Sequence, residues 1–521
     1  MSRVSLRTTG LVGALTLLSR ISGLAREIVY ADLFGASAFM DAFLVAFKIP
    51  NFLRRLFAEG SFSQGFVPVI SEYRHRRSLA ATRELVSGTA GTFGVVLFAV
   101  TVVGVIAAPL LVLAFAPGFR ATPSQFQSAV AMLHLTFPYI FFISLTALFG
   151  GVLNSYGRFA VPALTQSLMN LVMIVFTAFL AAGSRNPGLV MSLGVFVSGL
   201  VQLAFQLPFV ARLDLLSWPR WRPALEGVGR IARLMLPGIL GSSMAQVSLL
   251  IDTLIASFLT TGSIAWLYYA DRLMEFPLGV FSIALATVIL PGLSAHHARS
   301  SRAGFAATLD WALRLTLALA TPAAVAMLVF GGPLTTTVLA RGAFSARDVA
   351  MTSAALKAYS WGLLGMSLVK VLAPGYFARQ DTRTPMRVSL IALALNVSLN
   401  VLIVLPAARL GFSAPHALLA LSTSSAAALN TLLLWRGLRR AGIWQPARGF
   451  GRLLLRIALA NLVMAVVLLW LGGDLSGWLS ATPLHRLARC MACIAAGGAT
   501  YFASLFVLGV RHGDFAPAQE S

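Results

Sequence analysis

The fold of this chain is decided by residues 41–77, DAFLVAFKIPNFLRRLFAEGSFSQGFVPVISEYRHRR. The stretch begins inside an apolar run long enough to enter a bilayer, yet it carries several charged side chains, each of which is costly in hydrocarbon. Four of them recur at spacings of seven, seven and four residues and share one face of an ideal helix: Asp41, Lys48, Arg55 and Glu59. A polar stripe on an otherwise apolar cylinder predicts a membrane helix that lines an aqueous cavity.

Pro50 lies in the middle of this helix. It removes one backbone donor and clashes with the preceding turn, so we expect a kink there. Arg54 and Arg55 follow the kink side by side, and the pattern leaves open which of the two points into the cavity.

The composition indicates a membrane protein. Of the 521 residues, 58% are hydrophobic and 11% are charged, whereas a soluble domain carries about 25% charged residues. The net charge of +23 comes from arginines at the ends of apolar segments, which indicates positively charged cytoplasmic loops and argues against a nucleic-acid partner. Cys490 and Cys493 lie in an apolar segment and are interpreted as packing residues.

Fourteen apolar segments have a length near the ~20 residues that cross a bilayer. They lie near residues 8–33, 38–58, 87–115, 129–153, 159–183, 188–210, 231–258, 267–294, 312–331, 351–376, 386–406, 414–435, 451–472 and 486–509. Arginines are concentrated in alternate loops, which predicts that both termini are cytoplasmic. The expected fold is an all-α polytopic membrane protein with fourteen transmembrane helices.

The chain repeats itself with a register of 223 or 224 residues. The matching pairs are Pro68 and Pro291, Pro162 and Pro385, Ser144 and Ser367, Pro109 and Pro333, and Gly118 and Gly342. Six helices is an even number, so both copies have the same orientation and form two pseudo-symmetric lobes around a central cavity. We predict an N-lobe with its cytoplasmic linker at residues 1–228, a C-lobe at 229–440 and an accessory pair of helices at 441–521.

Two further segments place charges inside the membrane. The first helix has a face of small and charged residues that includes Arg20, Gly23 and Glu27. Arg26 lies beside this face, and a bend at Gly23 would bring it round.

The eighth segment opens with YYADRLMEFPLGVF, residues 268–281. Asp271 and Glu275 share a face, Arg272 borders it, and Pro277 predicts a kink. Both copies of the repeat thus carry charges and a proline on their second helix.

Cationic side chains outnumber carboxylates in the first two helices. One interpretation is that they form internal salt bridges that only hold helices together. The excess favours instead an anionic ligand, and the planar fork of arginine suits a diphosphate. No P-loop, dinucleotide fingerprint or HExxH motif occurs. We therefore expect a transporter without a catalytic, metal or cofactor site, driven by the membrane potential, by a Na⁺ or H⁺ gradient, or by the substrate gradient.

Four motifs carry a family resemblance. They are SRISGLAREIVYADLFGAS (19–37), DAFLVAFKIPNFLRRLFAEGSFSQGFVPV (41–69), YYADRLMEFPLGV (268–280) and VKVLAPGYFARQDTRTP (369–385). Together the motifs resemble the MurJ (MviN) lipid II flippases of bacterial peptidoglycan synthesis, over essentially the whole chain. The resemblance implies a fourteen-helix member of the multidrug/oligosaccharidyl-lipid/polysaccharide exporter superfamily in the bacterial inner membrane.

The resemblance also implies roles for individual residues. The cavity arginines that would hold the diphosphate and head group are Arg20, Arg26, Arg54 and Arg272, with Asp41 and Glu59 as acidic partners. The helix faces add Lys48, Arg55, Asp271 and Glu275 as supporting residues, and Gly23, Pro50 and Pro277 as hinges. The implied activity is translocation of lipid II by alternating access, with the last two helices as a groove for its polyprenyl tail. Further expected partners are membrane lipids and proteins of the wall-synthesis machinery.

Two alternatives stay open. A flippase for another polyprenyl-diphosphate-linked oligosaccharide, or an ion-coupled multidrug exporter, would share the fold, although the cationic excess argues against the exporter. A membrane-embedded glycosyltransferase or polymerase would act on the same lipid, but it should show catalytic acids and a large extracytoplasmic loop, and the loops here are short.

Overall fold

The computed structural model describes residues 3–54, 61–446, 449–511 and 515, and it describes the backbone alone over residues 3–10, 12, 61–64, 236–246 and 280–288. Every regular element in these ranges is helical, which confirms the predicted all-α fold. The chain divides into two compact units, Met1–Ala265 and Trp266–Ser521. The predicted lobe boundaries at residues 228 and 440 rest on the sequence repeat and stay predictions.

The helices that begin in the first unit are α1 (Arg3–Phe34), α2 (Ala38–Arg54), α3 (Ser61–Arg76), α4 (Leu79–Ile106), α5 (Ala108–Phe115), α6 (Pro123–Thr136), α7 (Tyr139–Ser155), α8 (Ala160–Val175), α9 (Pro187–Ala211), α10 (Glu226–Ala256) and α11 (Ser263–Ala298). All of α11 after its third residue belongs to the second unit. The second unit continues with α12 (Arg302–Leu339), α13 (Ala346–Phe377), α14 (Arg383–Leu399), α15 (Leu405–Arg409), α16 (Pro415–Arg440), α17 (Phe450–Gly472), α18 (Leu475–Ser480) and α19 (Pro483–Val507).

Nine helical stretches in the described part of the chain are long and apolar enough to cross a membrane. They coincide with nine of the fourteen predicted segments, and the other five segments overlap α1, α2, α10, α11 and α13. The chain is therefore a polytopic membrane protein, as predicted. The count of fourteen spans stays a prediction.

The predicted repeat reappears in irregularities of the backbone. Short π-helical segments follow α8 at Phe176–Ala181 and α14 at Asn400–Val404, and they begin 224 residues apart. Gly157 and Gln380, which are 223 residues apart, both have a left-handed backbone, with φ of 75° and 60°. Because π segments are rare, their recurrence at the predicted spacing supports a duplicated block.

Pro50 lies inside α2, where it affects the hydrogen bonding of a neighbouring helix. It has no N–H to donate to the Ala46 carbonyl one turn earlier. The Thr136 hydroxyl, at the end of α6, donates to this carbonyl at 2.8 Å. A buried carbonyl is thus satisfied, and α6 is fixed against α2 at the proline.

The C-terminal pair, α17 and α19, packs on α12 within the second unit. Cys490 and Cys493 are free, buried thiols in this core, in agreement with the packing interpretation. Pro322 interrupts the hydrogen bonds of α12, and the Tyr501 hydroxyl of α19 donates to the exposed Ala318 carbonyl at 2.8 Å. The same device therefore attaches the C-terminal pair to its unit.

Candidate functional site

Arg26 is held inside the first unit between α1 and α8. Its side chain is 8% exposed, and its Nη2 atom contacts the carboxylate of Glu27 at 2.5 Å. Its Nη1 atom donates to Oδ1 of Asn170 on α8 at 3.1 Å, and its guanidinium lies over the ring of Tyr30, 5.6 Å from the centroid. A carboxylate, an amide oxygen and an aromatic face together offset the cost of burying the cation.

Asn170 is the residue that sequence reasoning missed. Besides accepting from Arg26, its amide nitrogen donates to the Ser19 carbonyl at 3.1 Å and to the Ser22 hydroxyl at 2.9 Å. Arginine can only donate, so the amide oxygen must be the atom that faces Arg26. One side chain from α8 thereby fixes both the backbone of α1 and the orientation of Arg26. An asparagine inside an otherwise apolar segment was the available signal.

The predicted hinge Gly23 lies in an uninterrupted part of α1. A Cβ atom at this position would meet the Asn170 amide nitrogen at 3.6 Å, so glycine gives Asn170 room to approach α1. Arg20, one turn earlier, is half-buried. The hinge role of Gly23 and the ligand role of Arg20 stay predictions.

On α2 the predicted polar stripe is anchored to other parts of the first unit. Asp41 is 3% exposed and accepts from the backbone N–H groups of Gly262 and Ala265, at 2.6 and 2.8 Å. A carboxylate against the first turn of α11 satisfies N–H groups that the helix itself leaves unpaired. Lys48 donates to the Thr253 hydroxyl on α10 at 3.2 Å. Asp41 therefore positions a helix start.

Arg54, at the end of α2, donates from Nε to the Asn51 side chain at 3.2 Å. Arg55 and Glu59 lie outside the described residues. Their predicted roles, and the choice between Arg54 and Arg55 as the cavity residue, are therefore untested.

In the second unit Arg272 has a similar set of neighbours. Its Nη1 atom contacts the Glu275 carboxylate at 2.6 Å, and its guanidinium lies 5.1 Å from the centroid of the Tyr268 ring. Asp271 beside it is half-buried. The predicted kink residue Pro277 lies within the continuous α11.

Comparison with known proteins identifies the family. The family model described as "Lipid II flippase MurJ" matches residues 30–485. The chain is 42% identical to the "Probable lipid II flippase MurJ" of Vibrio cholerae over 100% of this chain and 99% of the relative. It is 41% identical to the "Lipid II flippase MurJ" of Burkholderia cenocepacia over 97% of both chains. The chain belongs to the MurJ family.

Solved structures agree with this family assignment. A structure titled "Lipid II flippase MurJ, inward closed conformation" matches with a TM-score of 0.79 and 26% identity, covering 95% of this chain and 98% of that one. An inward-facing multidrug MATE transporter of the MOP superfamily matches in fold, with a TM-score of 0.64 at 14% identity over 83% of this chain and 98% of that one. The chain thus has the MOP-type fold that the sequence predicted, and it belongs to a family of transporters.

The geometry also bears on metal binding by this MurJ family member. Among the described residues, no group of three or more His, Cys, Asp or Glu side chains is arranged to hold a metal ion. The acidic residues described above bind guanidinium or backbone N–H groups instead. What the arrangement offers chemically is a set of fixed cations within membrane helices.

Proposed function

We propose that this protein translocates lipid II from the cytoplasmic to the periplasmic leaflet of the bacterial inner membrane by alternating access. The observation that carries the proposal is the full-length match, at 42% identity, to a relative named as a probable lipid II flippase. The expected product of this activity is a supply of lipid II for peptidoglycan synthesis.

The cations of the first unit support this assignment in chemical terms. Lipid II presents a diphosphate, and arginine donates two parallel hydrogen bonds to phosphate oxygens. Arg26 is fixed by Asn170 and Glu27, so its guanidinium is oriented before the ligand arrives. Such a group lowers the cost of moving a charged head group through a low-dielectric region. We assign Arg20, Arg54 and Arg272 to the same ligand.

The proposed transport cycle has no catalytic step and no resident cofactor. The head group crosses through the cavity while the polyprenyl tail stays in lipid, beside α17 and α19. Both termini are cytoplasmic in this proposal, following the arginine-rich loops. Each charge that crosses the full membrane potential contributes about 2.3 kcal/mol per 100 mV, which is enough to drive the cycle with or without a Na⁺ or H⁺ gradient.

Depletion of the protein in its own host tests the proposal. Lipid II at the outer leaflet is measured with an externally added enzyme that cleaves its head group, and total lipid II is measured in parallel. We expect cleavage to fall while total lipid II rises. Lipid II that stays fully accessible would assign flipping to another protein and favour a different polyprenyl-linked substrate. Incubation of the purified protein with lipid II, followed by a search for polymer, tests the polymerase alternative.

A further inference from the structure

The connection between α9 and α10, residues 212–225, is an extended segment that lies along α4 in the first unit. Its two ends are fixed by Leu215 and Leu225, which pack into the core that α4 shares with α3, α7 and α10. Between these ends the segment has no helical structure. It is therefore a strap held at both ends rather than a loose loop.

The middle of the strap is bound to α4 by its backbone. The Arg220 N–H donates to the Ser87 carbonyl at 3.2 Å, and the Ser87 hydroxyl donates to the Trp218 carbonyl at 2.6 Å. The Arg222 N–H donates to the Thr92 hydroxyl at 3.1 Å. Gly91 makes this approach possible, because a methyl group there would overlap the backbone of Arg220.

This strap turns two tryptophans outward. Trp218 is 86% exposed and Trp221 is 56% exposed. Large aromatic side chains are rarely left so open unless they meet a partner or a membrane. Arg212 and Arg220 are exposed on the same strap, so the surface combines indole rings with cations.

The position of the strap along α4 indicates what covers these rings. The apolar run from Val95 to Phe115 has 21 residues, and at 1.5 Å per residue it spans about 30 Å, the thickness of the hydrocarbon layer. Thr92 lies about 4–5 Å and Ser87 about 12 Å beyond the start of this run by the same rise. The strap therefore crosses α4 at the depth of the lipid head groups.

The strap also lies on the side of α4 that faces lipid. Val95, Phe98 and Val102 follow Gly91 at spacings of four, seven and eleven residues and so continue its face of the helix. All three are exposed apolar side chains, as expected for a lipid-facing surface.

We propose that residues 212–225 form a membrane-interface anchor, in which Trp218 and Trp221 lie among the lipid head groups next to the end of the α4 span. Indole rings favour this zone because one part of the ring is apolar and its N–H is polar. Arg212 and Arg220 reach lipid phosphates from the same strap. The proposal depends on the membrane location of the chain and not on which substrate it carries.

The test uses the full-length protein with Cys490→Ala and Cys493→Ala, reconstituted into phosphatidylcholine/phosphatidylglycerol vesicles. A single cysteine is introduced as Trp218→Cys, Trp221→Cys or, as a control, Asp214→Cys, and is labelled with a fluorophore. Asp214 is exposed and pairs with Arg83, which lies about 18 Å along α4 from Val95 and so beyond the head groups.

We expect brominated lipid to quench the label at residues 218 and 221, and aqueous iodide to quench the label at 214. Labels at 218 and 221 that are quenched by iodide and not by brominated lipid would overturn the proposal and leave a soluble partner as the occupant of this surface.

Two glycines of α4 provide a matched second test. Gly91→Ala should displace the strap and abolish lipid quenching of the label at 218. Gly94→Ala should not, because a Cβ there meets no atom within 4 Å. Lipid quenching that persists in a folded Gly91→Ala protein would show that the backbone contact to α4 does not place the anchor.

Discussion

Arg26 in the first unit and Arg272 in the second have the same types of neighbour and different surroundings. Each contacts a glutamate and lies over a tyrosine ring on its own helix. The Arg26 side chain, however, is 8% exposed and is also bound by Asn170 from α8, whereas the Arg272 side chain is 32% exposed. The difference teaches that one arginine is fixed by tertiary structure and the other keeps access to solvent.

The largest expected effect follows replacement of Arg26. Arg26→Ala leaves the carboxylate of Glu27 buried without this cation, which costs about 3–5 kcal/mol, and it should also stop lipid II translocation. Arg26→Lys keeps the charge and should retain most of the stability while translocation falls at least about tenfold, since a charged hydrogen bond contributes about 1.5–3 kcal/mol. Thermal unfolding in detergent and the outer-leaflet assay measure the two effects.

Arg83→Ala is the matched control, because Arg83 forms an exposed ion pair with Asp214. It should change neither quantity measurably. Normal translocation in Arg26→Ala would refute the ligand role of Arg26.

A smaller effect should follow replacement of Asn170. Asn170→Ala removes the acceptor for Arg26 and the donors to α1, and we expect a loss of about 1–3 kcal/mol together with reduced translocation. Asn170→Asp keeps the acceptor for Arg26 and loses the donors, so it should recover translocation better than stability. If Ala and Asp reduce translocation equally, Asn170 acts only as a packing contact.

The repeat allows an exchange between the two units. Gly157 and Gln380 both have a left-handed backbone in the same repeat register. Gly157→Gln should cost about 1–2 kcal/mol, and Gln380→Gly should gain up to about 1 kcal/mol after the entropy cost of glycine. Gly183→Gln is a control, because a Cβ at Gly183 meets no atom within 4 Å and its φ is not positive. Equal unfolding temperatures for all three would contradict this strain.

Arg272→Ala should have a small effect on stability and a large one on transport. Its ion pair with Glu275 is partly exposed, and such pairs contribute about 0–1 kcal/mol. We expect insertion and unfolding temperature to stay near those of the parent while translocation stops. A destabilisation as large as that of Arg26→Ala would remove the distinction between the two arginines.

The smallest expected effect is a response to pH at the start of α14. Hydrogen bonds from the Thr384 side chain and backbone N–H hold the pKa of Asp381 below its usual value. A lowered pKa contributes stability above the unfolded-state pKa, and this contribution is lost as the pH falls through the folded-state pKa. The unfolding temperature of Asp381→Asn should therefore approach that of the parent only in acid. A constant difference between pH 7 and pH 3 would exclude this role.

Much of the fold could be predicted from local patterns. Apolar length and charge placement identified the membrane helices and the arginines, and the 223-residue register anticipated the paired π segments. The contacts of the candidate site could be predicted only in part. Asp41 stood out as a charge in an apolar helix, but its binding to the backbone of Gly262 and Ala265 joins residues more than 200 positions apart, which no local pattern encodes.

The sequence by itself determined that this protein spans a membrane, repeats a six-helix block and carries fixed cations in its first helices. Those properties depend on local composition and helical periodicity, which are read along one segment at a time. Only the tertiary structure decided that Asn170 orients Arg26 and that the strap of residues 212–225 crosses α4 at Gly91. Such choices depend on which helices pack together, because a buried polar group must find its partner among whatever side chains and backbone the neighbouring helix brings within reach.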